Sequence, residues 1–144
     1  MSAPARRRVR VVAAVAWRGA TVLLTQRPPG GPLGLQWEFP GGKLEPRETA
    51  YEALVRELRE ELGVEATPRR TLALHEHAYA HGLDVELQFV ECALASHEFT
   101  TDPAVHAWRW VRPGEIPAAE VLEADRPFLA ALAAGAFDPR AGSP

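Results

Sequence analysis

Residues 56 to 63 read RELREELG and place Glu57, Glu60 and Glu61 within five positions. At about 100° per residue of helix, the three carboxylates fall within about 100° of one another. Like charges three and four apart on a helix repel by a few tenths of a kcal/mol per pair. Two chemistries fit this pattern. One is a solvated helix face on which Arg56 and Arg59 neutralise the acids. The other is a cage for a hard divalent cation. Oxygen-only ligands, with no His or Cys close by in sequence, favour Mg²⁺ or Mn²⁺ over zinc. A bound dication would turn the repulsion into attraction, and Mg²⁺ commonly joins carboxylates to substrate phosphates.

The surrounding pattern says where the acids sit. Ala50, Leu54, Leu58 and Leu62 recur every four residues, with Ala53 beside them, so one stripe of a helix starting near Glu48 faces a core. Gly63 is a natural stop. The acids lie on the adjoining flank, where the helix leaves the core. WEFPGGK (37–43) cannot be helical, because Pro40 and Gly41-Gly42 break it. RVRVVAAVAW (8–17) reads as a buried strand, Arg18-Gly19-Ala20 as a turn, and TVLLTQR (21–27) as the second strand of a hairpin. TLALHEHAY (71–79), LDVELQFVECAL (83–94) and HAWRWV (106–111) read as further strands, with Val85, Leu87 and Phe89 on one side. Pro127 opens a last amphipathic helix, PFLAALAAGAF. The pattern predicts an α/β (α+β) sandwich with a mixed sheet. A single domain over 9–136 lies between a basic arm, 1–8, and a polar, turn-rich tail, 137–144, which reads as disordered.

At 144 residues and net charge −3 the chain makes no global case for nucleic-acid or membrane binding. The Arg6-Arg7-Arg8 cluster reads as a solvated, frayed arm. Cys92 is alone, so no intrachain disulfide forms, and a cytoplasmic location is the default. Lying in an apolar run, Cys92 reads as a buried small residue. VVAAVAW after the basic start is too short for a spanning helix. His75, His77 and His81 fall on strand and turn and read as surface residues rather than ligands.

Gly42, then Glu48, then Arg56-Glu57-Leu58-Arg59-Glu60-Glu61-Leu62-Gly63-Val64 resembles, over 23 residues, the Nudix box of nucleoside diphosphate-linked hydrolases. The WEFPGGK lead-in is similar to the MutT-type branch, the nucleoside triphosphate pyrophosphohydrolases. The resemblance implies the Nudix fold, an α/β/α sandwich around a mixed sheet. It implies that the Gly41 carbonyl, Glu57, Glu60 and Glu61 hold Mg²⁺ or Mn²⁺, and that Arg56 pairs with Glu48. The plain alternative for Glu48 is an acid favoured by the helix dipole. MutT-type enzymes often carry one more Glu in the loop before the last strand. Ala104 falls near that place, with Glu98, Asp102 and His106 as nearby substitutes. The base is therefore open between Glu57 and Glu60.

The implied reaction converts a nucleoside triphosphate and water into a monophosphate and pyrophosphate. LEADRPFL (122–129) resembles a MutT-type segment whose Asn or Asp contacts the base, which places Asp125 there. An ionised carboxylate only accepts hydrogen bonds and suits the exocyclic amine of cytosine, though guanine also offers donors. The alternative is that Asp125 caps the last helix. Arg27 matches a family arginine near the substrate. Phe39 and Tyr79 are candidates to stack on a base or to line the rim, and Trp37 to pack beside the box loop. The favoured substrate is CTP, dCTP or a modified cytosine nucleotide. Alternatives are 8-oxo-dGTP, a dinucleoside polyphosphate (suggested by Tyr79, 16 residues after Gly63) and a non-catalytic nucleotide sensor. The family also admits a homodimer.

Overall fold

The computed structural model describes residues 6–139. The strands are β1 (Arg7–Val15), β2 (Trp17–Arg18), β3 (Thr21–Gln26), β4 (Trp37–Glu38), β5 (Gly41–Lys43), β6 (Ala66–Ala78), β7 (Leu83–Leu94) and β8 (Ala107–Val111). Helix α1 is Ala50–Leu62 and α2 is Arg126–Ala133, with a 3₁₀ turn at Glu123–Asp125 before α2.

The strands form two four-stranded sheets. The first runs β5-β1-β7-β6 and is mixed, because β1 and β7 are parallel. In the second, β8 pairs with β3 from Val22 to Gln26, and β2 and β4 also pair with β3. The alternation of β1 explains the layering. Val12 and Ala14 pack into a cluster with Leu54, Leu58 and Leu62 of α1, whereas Ala13 and Val15 pack into a second cluster with Phe128, Leu129 and Leu132 of α2. A strand buried on both faces reads as a continuous apolar run, and helices cover both sides. Val85, Leu87 and Phe89 share the α2 side, as their spacing predicts. Cys92 is buried.

Four expectations change. Residues 8–17 and 21–27 are not one hairpin: only Trp17-Arg18 pairs back on Thr21-Val22, while β1 joins the other sheet. The chain changes sheets at buried Ala16, whose carbonyl accepts from the Leu23 amide. The basic cluster is no frayed arm from Arg6 onward, because β1 begins at Arg7 and Arg6 bonds Asp84. His75 is not a surface residue. Its ring meets Phe89 and Phe128 edge-on, and its Nδ1 is buried with no partner among the described residues. The last helix stops at Ala133, although Phe137 still stacks on Phe128. Residues 140–144 of the tail, and 1–5 of the arm, lie outside the described residues. Among the described residues no helix is long and apolar enough to cross a membrane.

Candidate active site

Helix α1 is held at both ends, and this fixes which way its acids point. The Thr49 hydroxyl accepts from the Glu52 amide, and the Glu52 carboxylate accepts from the Thr49 amide, a reciprocal capping box. Gly63 closes the helix in the left-handed conformation, φ 60°. With Ala50, Ala53, Leu54, Leu58 and Leu62 buried, Glu57 turns inward, 14% exposed, and Glu60 outward, 56% exposed.

Arg56 organises the acids. Its Nε and Nη2 donate to the two oxygens of Glu48 at 2.7 and 2.8 Å, a bidentate pair. Nη2 also reaches the Lys43 carbonyl, 3.1 Å, and Nη1 reaches Glu57 and Glu60 at 2.9 and 3.3 Å. Glu48 lies before the N-cap, takes a further bond from the Glu45 amide, and is held at about 2 by its bonds to Arg56. Arg59 is not merely solvated; it forks onto Glu65 at 2.7 and 2.9 Å.

Strand β5 brings its backbone against these acids. A Cβ on Gly41, φ 150°, would collide with the Val12 carbonyl, and one on Gly42 would stand 2.5 Å from the Glu57 carboxyl carbon. Only glycine lets β5 lie between β1 and Glu57. Burial first, then the Glu57 charge and a hydrogen bond with Glu57, push Glu61 up to about 9. Asp102 adds to that field, and its amide donates to the Glu61 carbonyl. Of the three substitutes for an acid outside the box, Asp102 is the one whose charge reaches Glu61; Glu98 and His106 are exposed. Ala104 lines the cavity.

Among the described residues no three His, Cys, Asp or Glu side chains converge in metal-ligand geometry, and Arg56 pairs with Glu57 and Glu60. The donor chemistry fits a hard dication nonetheless. The donors are carboxylate and carbonyl oxygens, the glycines clear the approach, and Glu57 and Glu61, held together by a hydrogen bond that raises Glu61, would ionise together beside a dication.

A cavity of about 480 Å³ opens from the box. It is lined by Gly41, Gly42 and Glu61, and also by Arg27, Glu38, Phe39, Tyr79 and Asp125. Arg27 pairs with Glu38 at 3.1 Å. Phe39 is buried edge-on against Phe89 and Phe128. Asp125 does not cap α2 through its side chain. It is 3% exposed, and its Oδ2 accepts from the Phe39 amide at 2.9 Å. Burial, followed by the charge of Glu38, pushes it up to about 8, so it is protonated at neutral pH rather than ionised as its residue type suggests. Glu38 is the acid that sequence reasoning passed over; burial raises it too, and Arg27 opposes that. Its neighbours gave no signal, because a strand residue between two inward-facing aromatics is expected to face outward. The Trp37 backbone bridges to Val121, and the Arg109 guanidinium lies 5.4 Å over its ring.

A family model described as the NUDIX domain matches residues 6–132. The chain is 38% identical to a CTP pyrophosphohydrolase of Escherichia coli K12, over 88% of this chain and 92% of that one. It is 37% identical to a putative 8-oxo-dGTP diphosphatase 2 of Mycobacterium tuberculosis, over 85% and 86%. The solution structure of the E. coli ORF135 protein superposes with a TM-score of 0.73 at 35% identity, covering 92% of this chain and 96% of that one.

Proposed function

The chain belongs to the Nudix hydrolase family, and from that footing we propose that it hydrolyses CTP, dCTP or a modified cytosine nucleotide to the monophosphate and pyrophosphate. The observation that carries the base preference is the buried Asp125 carboxyl, fixed on the Phe39 amide, where burial raises its pKa to about 8 and favours the protonated form. A neutral carboxyl both donates and accepts. Cytosine offers a ring-nitrogen acceptor beside its N4 amine donor, which is the complement of such a group. Guanine offers two adjacent donors, its ring N–H and its amine, and these suit an ionised carboxylate instead. A relative named for CTP supports the first reading. A relative named for 8-oxo-dGTP keeps the second as the alternative, and that reading requires Asp125 to ionise on binding.

Glu57, Glu60, Glu61 and the Gly41 carbonyl would hold Mg²⁺ or Mn²⁺. When bound, such an ion neutralises phosphate charge and lowers the pKa of a water. The chain's own residues do the rest. Arg56 braces Glu48 and Glu57, so the loop and helix keep one spacing. Glu60, with a single 3.3 Å contact to Arg56, keeps lone pairs to orient the attacking water and take its proton. Arg27, tethered by Glu38, places positive charge on the cavity wall. Phe39 forms the apolar surface behind the base. All the box carboxylates are present, which favours a catalyst over a sensing module.

The test is release of pyrophosphate against phosphate over a panel of normal and damaged nucleoside triphosphates, with ADP-ribose and a dinucleoside tetraphosphate as controls. Pyrophosphate release with the highest kcat/KM on a cytosine nucleotide is expected. Preferential turnover of a control, or of a guanine nucleotide, would reject the cytosine assignment.

A further inference from the structure

We propose that Tyr79 and His77 are positioning residues for base selection: they fix the turn that carries Asp125, through the Tyr79 hydroxyl and the His77–Glu123 contact. This rests on the reading that Asp125 meets the base. Residues 121–126 form a clasp between the two sheets. On the β4 side, the Leu122 amide donates to the Trp37 carbonyl at 2.9 Å, and the Phe39 amide donates to Asp125 at 2.9 Å. On the β6 side, the Ala124 amide donates to the Tyr79 hydroxyl at 3.3 Å, and His77 Nε2 lies 3.2 Å from Glu123 Oε2.

Tyr79 is itself tied down. Its amide donates to the Leu83 carbonyl at 2.7 Å, and its carbonyl accepts from Arg6 Nη2 at 2.6 Å. Its ring is 4% exposed, with His81 stacked at 5.3 Å and His77 edge-on at 4.5 Å. The ring is thus already packed, and its hydroxyl is the group that acts on the clasp. Asp125 follows Ala124 directly, so loss of the Ala124 bond frees the carboxyl to drift. A drift of that kind alters the match to a base edge while the Arg56 bonds that hold the box do not involve the clasp.

The substitution Tyr79→Phe separates this role from stacking, because it keeps the ring and removes only the hydroxyl. The expected result is a KM for the preferred nucleotide raised about fivefold to tenfold, the scale of one hydrogen bond, with kcat within about twofold. The preference over the next-best base should shrink by a similar factor, and amide exchange at Ala124 should accelerate. Glu123→Gln should move the same quantities in the same direction by less, and it serves where Tyr79→Phe folds poorly. Unchanged KM, preference and Ala124 exchange would overturn the proposal, as would a uniform fall in kcat for every base. The measurement uses whichever nucleotide the wild type prefers. A wild-type preference for guanine therefore overturns the cytosine reading alone, while a loss of that preference in Tyr79→Phe still supports the clasp.

Discussion

Glu48 and Arg56 meet through two hydrogen bonds, 2.7 and 2.8 Å, that join the glycine-rich loop to the helix of acids. Arg56 holds the Glu48 carboxyl at about 2, below its ordinary 4.5. A carboxyl depressed in the folded state adds stability above its ordinary pKa, and that stability is lost as pH falls through the depressed value. Thermal melts between pH 6 and pH 2 should therefore show the wild type losing Tm below about 4.5. Glu48→Gln should start from a lower Tm and vary less across that window; parallel curves would show that the pair contributes no linkage.

Glu60 is the most exposed of the box acids and is held by one long contact. Glu60→Gln should leave the circular dichroism spectrum and Tm near wild type while cutting kcat by about 100-fold or more, the range for loss of a general base. A near-wild-type rate would remove Glu60 from proton transfer and leave Glu57 as the base.

Asp125 is raised to about 8, so it carries its proton below that value and loses it above. If the protonated form pairs with cytosine, KM for CTP should be low and flat up to about pH 8 and rise beyond it. Asp125→Asn, neutral at every pH and still both donor and acceptor, should flatten that rise and keep the cytosine preference. A KM that instead improves through pH 8 would indicate a base edge made of donors.

Glu61 is pushed up to about 9 by burial and by Glu57, so at about neutral pH it must lose a proton to become a metal ligand. Titration calorimetry with Mg²⁺ or Mn²⁺, in buffers of differing ionisation enthalpy at about pH 7.5, should report net proton release on ion binding. Glu61→Gln should abolish that release and weaken binding. Buffer-independent heats would show that Glu61 is already ionised or stays out of the shell.

Much of the site was legible because it is local. The Arg56 bonds to Lys43, Glu48, Glu57 and Glu60 all lie within one loop and one helix, and the apolar stripe fixes the rotation of the acids. The capping box was also written in the sequence as Thr-Ala-Tyr-Glu, 49 to 52, and only awaited the right offset. The protonation of Asp125 was not legible, since residue type gives a reference pKa and burial moves it. The amide that holds the carboxyl belongs to Phe39, 86 residues away. The split into two sheets was hidden for a similar reason. Ala16 bends the chain with no glycine or proline to mark it, so two strands read as one.

The parallel pairing of β1 with β7 also dictates an order of assembly. Val12 and Ala14 pack with α1, and Val90 and Cys92 belong to the same cluster. The helix of acids is fully synthesised at Leu62, some thirty residues before β7, which adds Val90 and Cys92 to its cluster, ends at Leu94. Until then its apolar stripe has a partial floor, and closing that floor requires joining segments more than seventy residues apart. Non-local closure of this kind slows folding and prolongs the exposure of apolar surface. The nascent chain thus carries its most charged element and its least covered one on the same helix.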